Sequence, residues 1–212
     1  MLKKLLLLSS AFVLAVTPFA KADPIGTTAI FSLTGDTCTG TCGTGPFGTI
    51  KLVQTSTGLV TVTETLANNV AFVDTGAGNS LAFNLSGSPA ITFGDITTGF
   101  ASSGAVTKTG GYTYSLSCAK ISCGPGASVT NAGPLSFTVT SANGVSVSDF
   151  IANPNGYFFA SDVSGNNGKT GVVTAFGGTT TTPAPVPEPS SLFLLGTGLV
   201  GAAGLIRSRL FS

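Results

Sequence analysis

Four cysteines fall in two tight pairs, Cys38/Cys42 and Cys118/Cys123, each within a stretch rich in Gly and in Thr or Ser. Such pairs suit two chemistries. Oxidised, they form disulfides; four cysteines permit three connectivities, and local closure of Cys38 to Cys42 and Cys118 to Cys123 is the expectation. Reduced, their thiolates could hold zinc, for which intervals of three and four residues are tolerable. Carboxylates form the second set. Asp74 opens Asp-Thr-Gly-Ala-Gly-Asn79 and Asp162 opens Asp-Val-Ser-Gly-Asn-Asn-Gly168. Both stretches are calcium candidates without the EF-hand spacing, and their Asn and Asp residues are equally turn formers. A glycosidase needs two carboxylates facing one cleft, and spacing singles out no pair among eight Asp plus Glu. Tyr112, Tyr114 and Tyr157 are candidates for stacking on sugar rings. The chain has no His and no Trp, which excludes a His-dependent triad, a His-ligated zinc site and a His proton shuttle. The expectation is no catalytic residue, no resident metal and no cofactor.

The two chain ends read as delivery signals. In residues 1–22, Lys3 and Lys4 precede an apolar run over 5–16, and Ala20-Lys21-Ala22 is a small-x-small cleavage site, as in a secretory signal peptide cut before Asp23. A retained anchor is the alternative, but the apolar run is about 12 residues where a span needs about 20. At the other end, 177–189 reads as a Thr/Pro linker of extended polyproline type, lacking donors for a strand ladder. Residues 190–206 are 17 residues without a charge, about 26 Å as a helix and at the short end of the membrane-spanning range. The tail 207–212 opens with Arg207 and Arg209, basic residues placed to stop translocation.

The order Val186-Pro187-Glu188-Pro189, short apolar helix, Arg-rich stop over residues 186–210 resembles the PEP-CTERM sorting signal of exopolysaccharide-producing Gram-negative bacteria. The resemblance implies an exosortase, a membrane-embedded thiol transpeptidase, cutting near Pro187-Glu188-Pro189 and releasing or transferring the protein. With a signal peptidase it would be the processing partner. An ordinary single-pass anchor behind a proline linker is the alternative. Residues 134–175 are similar to the closing strands of the β-rich bodies in many PEP-CTERM proteins, which adds no active site.

Residues 23–176 must then be the delivered body. Gly48–Gln54, Leu59–Thr65, Tyr112–Ser117 and Leu135–Thr140 alternate apolar with Thr, Ser or charged residues, the period-two signature of strands with one buried face. Gly- and Asn-rich turns separate about eight to ten strands, which predicts an all-β body, a β-sandwich or jelly roll. Residues including Ile30, Phe31, Leu33, Phe83, Phe137, Ile151 and Phe159 are the expected core. The whole chain has 212 residues, 8% of them charged, with net charge +1 and mean hydropathy +0.48. No basic run is long enough to follow a phosphate backbone, so nucleic acid is not an expected partner. Five of the nine basic residues lie in the two delivery segments, which leaves the mature chain four Lys against eight carboxylates, or −4.

Together these features predict an exported, non-enzymatic surface or matrix protein associated with exopolysaccharide or biofilm. It would pass through an inner-membrane intermediate to the cell surface, outer envelope or extracellular matrix. A carbohydrate- or calcium-dependent binding module is the alternative.

Overall fold

The computed structural model describes residues 23–76, 79–104, 110–119, 121–123 and 126–184, with the backbone alone at 126 and 127. Ala20, Ala22, the sorting motif and the apolar segment 190–206 lie outside the described residues. The elements are β1 (Thr28–Asp36), β2 (Gly48–Ser56), β3 (Leu59–Leu66), β4 (Ala71–Asp74), β5 (Leu81–Leu85), β6 (Ile91–Gly94), β7 (Phe100–Ser103), β8 (Tyr114–Cys118), β9 (Gly126–Asn131), β10 (Leu135–Ser141), a 3₁₀ turn (Val147–Asp149), β11 (Phe150–Ile151), β12 (Phe159–Ser164) and β13 (Thr170–Thr181). The body is all-β. The described strands outnumber the expected eight to ten because β4, β6, β7 and β11 span only two to four residues, too few for alternation to register.

One hydrogen-bonded path runs β6-β10-β3-β2-β1-β13-β12-β5-β8-β7. Along it β10 and β5 are six steps apart, about 29 Å in a flat sheet. Yet Phe137 of β10 and Phe83 of β5 stack with ring centroids 6.1 Å apart. The sheet is therefore bent until its halves face each other, nearly closing a barrel around its main core, with a small second cluster of Ala82, Tyr112, Ala160 and Val172 beside it. Phe83 is the centre of that core, meeting Tyr114 at 5.5 Å, Phe150 at 5.3 Å and Phe93 at 6.2 Å. Curling buries both halves of the apolar pattern against each other, which is how a single sheet stabilises itself without a second layer.

Alternation decides which residues enter. In β1 the buried phase is Ala29, Phe31 and Leu33, so Ile30, expected in the core, points outward and is 44% exposed. Ile151 is corrected in the same way: it follows buried Phe150 and takes the outer face. In β2 and β3 the buried phase ends on polar residues, Gln54 after Ile50 and Leu52, and Glu64 after Val60 and Val62.

The body also extends past the expected boundary at Phe176. Gly178 to Thr181 pair with Phe31 to Thr28 of β1, so the front of the predicted linker is strand. The prolines that deny a ladder its donors begin only at Pro183, while Thr179 to Thr181 are β-branched and keep their N–H groups.

Candidate functional site

Pairing of β1 with β13 brings both ends of the described body to one pole of the barrel. Pro183 lies against Gly26, where an added side chain would meet its ring at 3.0 Å. Asp23, the expected first residue of the mature chain, is fixed beside them. Its backbone N–H donates to Ser146 Oγ at 3.3 Å, and its Oδ2 accepts from the Ser148 N–H at 2.7 Å. Beyond Thr181 only eight residues, 182–189, separate the last strand from the apolar segment. Four are proline, and in polyproline form the eight span about 25 Å.

The same pole holds the main described groove. The β2–β3 turn at Thr57 and Gly58, the β10 end with Thr140 to Ser146, and Asp149 line a volume of about 480 Å³. It adjoins a second of about 350 Å³ reaching Ser86, Gly87 and Pro89, and the two share Ser141, Asn143, Gly144, Val145 and Asp149. Beneath them lies Gln54, fully buried. Its Nε2 donates to the carbonyls of Ser56, Leu59 and Val145 at 2.9, 3.3 and 3.1 Å, and its Oε1 accepts from Val147 N–H at 3.1 Å. One amide thus ties the hairpin to the 145–147 segment. Gly58 and Gly144 pack backbone to backbone there, since a Cβ on Gly58 would lie 2.8 Å from the Gly144 Cα. Asp149 Oδ2 accepts from Ser146 N–H at 2.7 Å, and its carbonyl accepts from Ser86 N–H at 2.8 Å.

The opposite pole is closed covalently. Cys38 is bonded to Cys42 and Cys118 to Cys123, so no thiolate remains for zinc. Asp36 sits within 4.8 Å of the first sulfur pair, but as a loop organiser. Partial burial works against its charge, and three hydrogen bonds outweigh that effect: Thr41 Oγ1 at 2.7 Å and the N–H groups of Cys38 and Cys42 at 2.9 and 2.8 Å. They hold its pKa below the usual value.

The calcium candidates do not converge as two loops. Asp162 lies within β12, buried, and its Oδ2 accepts from the N–H and hydroxyl of Thr75 at 3.1 and 2.7 Å. Asn166 and Asn167 bend the other way, donating to the carbonyls of Thr44 and Thr41 at 3.0 and 3.1 Å. Asp74 closes β4, half-buried. The Asp162 stretch is split because its first three residues belong to a ladder and only the rest to a turn.

Nor do the tyrosines form a platform. Tyr112 and Tyr114 are 2% and 8% exposed, and burial raises the pKa of both phenols. Tyr157 packs edge-on against Phe176 at 4.7 Å. Glu64 is fully buried, and neither carboxylate oxygen has a hydrogen-bond partner. Desolvation pushes its pKa well up, with Ser161 opposing weakly; the Ser161 hydroxyl is committed to the Ser80 carbonyl at 2.7 Å. Gln54, Glu64 and Asp149 were not among the expected site residues. The usable signal was a polar residue on the buried phase of an alternating strand for the first two, and Ser-x-x-Asp ahead of an apolar residue for the third.

No helix among the described residues is long and apolar enough to cross a membrane. No curated protein and no solved structure matches the chain. Residues 185–209 match the model of the PEP-CTERM protein-sorting motif, a span containing Val186, Pro187, Glu188 and Pro189 as well as Arg207 and Arg209. The protein is therefore a β-rich body carrying a PEP-CTERM sorting signal, the mark of an exported, membrane-processed protein directed to the cell surface by an exosortase.

Proposed function

We propose that the protein is a non-enzymatic component of the cell surface or extracellular matrix, associated with exopolysaccharide or biofilm. In this reading residues 1–22 are removed ahead of Asp23. The chain is then held as an inner-membrane intermediate by 190–206, with Arg207 and Arg209 as the stop, until exosortase acts at 186–189. From there it passes to the cell surface, outer envelope or matrix. The observation that carries the reading is the sorting motif over 185–209. It is supported by the short spacer behind β13, where eight residues, four of them proline, separate the last strand from the apolar segment.

A non-enzymatic body is supported by the use of its carboxylates. Glu64 and Asp162 are buried within the sheet, Asp36 organises a disulfide loop, the double groove presents Asp149 alone, and the groove beside Phe31 and Phe158 presents Asp23 alone. Replacing Pro187, Glu188 and Pro189 by Ala in the exosortase-bearing host is expected to leave a longer form in the membrane fraction. Maturation and release of that variant at the wild-type rate would overturn the assignment.

A further inference from the structure

We infer that the double groove at the terminus-bearing pole is a binding site for a neutral saccharide chain. It is lined by Thr57, Ser86, Thr140, Asn143 and Asp149, whose side chains carry three hydroxyls, an amide and a second carboxylate oxygen. None of these atoms makes a hydrogen bond to another described residue. Below them Gln54 spends its whole amide on the floor, and Ser141 Oγ donates to the Gly144 carbonyl at 2.7 Å. The floor is thus rigid and the rim is left with donors and acceptors together. Ring hydroxyls, which both donate and accept, match such a rim. An anionic ligand does not, because no Lys or Arg lines the groove and Asp149 would repel it. A lone divalent cation does not, because one carboxylate supplies too few charged oxygens. The volumes of about 480 and 350 Å³ lie in the range of ligand sites, and preorganisation limits the entropy lost on binding.

The inference does not depend on the sorting assignment, since binding is read without processing. The chain recovered from its host is titrated with cellotetraose, with tetra-N-acetylchitotetraose, with tetragalacturonate and with calcium chloride, following backbone amide shifts. At least one neutral tetrasaccharide is expected to give saturable shifts confined to residues 57–58, 86–89 and 140–149. Thr140→Val combined with Asn143→Ala is expected to weaken that binding about tenfold with the melting temperature unchanged. Four results would overturn the inference: no saturable shift with either neutral probe; tighter binding of tetragalacturonate; the same shifts with calcium alone; or undiminished affinity in the double variant.

Discussion

At the pole bearing both ends of the described body, the β2–β3 hairpin and the 145–147 segment are held by hydrogen bonds that converge on one buried amide, Gln54. At the opposite pole the loops are closed by Cys38–Cys42, with Cys118–Cys123 beside Phe72, whose strand partner Val163 leads into the 165–168 turn. Asn166 and Asn167 fasten that turn to the first disulfide loop. The difference follows from geometry. A disulfide between residues four or five apart tightens a single loop, whereas joining a hairpin to a segment about 90 residues away takes a group with several donors. The covalent pole keeps its loops in shape; the hydrogen-bonded pole keeps its groove in register with Asp23 and the end of β13.

The largest effect is expected where that network is cut. Gln54→Leu strands the buried carbonyl of Val145 and the N–H of Val147, along with two shallower carbonyls, and should cost about 3–5 kcal/mol in urea unfolding. A cost below that of losing a disulfide would mean that the groove floor is held by something else.

Glu64 sharpens the comparison midway between the poles. Its folded pKa is raised above the unfolded one, so its carboxyl is best tolerated below about pH 4.5. As pH rises, the unfolded chain ionises first, and stability falls by up to about 1.4 kcal/mol per pH unit until the folded state titrates as well. Glu64→Leu should therefore be more stable than wild type at neutral pH, with the gap closing as pH is lowered to 4. A gap independent of pH would show that folding does not raise the Glu64 pKa.

A smaller effect than that at Gln54 is expected at the covalent pole. Replacing Cys38 and Cys42 together by Ser opens a five-residue loop and should cost about 2 kcal/mol, measured by the same unfolding. Amide shifts at 57–58 and 140–149 should not move; if they do, the poles are coupled through the barrel.

Much of the architecture was legible in the chain. Alternation in β2, β3 and β10 placed those strands and their buried faces, and local disulfide pairing was the favoured one of three connectivities that the sequence leaves open. Three kinds of feature were not legible. Ile30 looks like core by residue type, and only the register of β1 against β2 and β13 turns it outward. The end of β13 was hidden because Gly177-Gly178-Thr-Thr-Thr181 has no apolar alternation; its strand conformation comes from pairing with a segment about 150 residues earlier. The groove was not visible at all, because Thr57, Ser86 and Asn143 are ordinary turn residues until the curled sheet brings their turns together. The sorting tail shows the converse: three features in fixed order at one end of the chain carry their meaning without a fold.

The most direct test of the central claim is the intact mass of the protein recovered from the cell surface or medium of its host. The expected species begins at Asp23 and ends within or before 186–189, with both disulfides formed. A surface species that still carries residues 190–212 would contradict it.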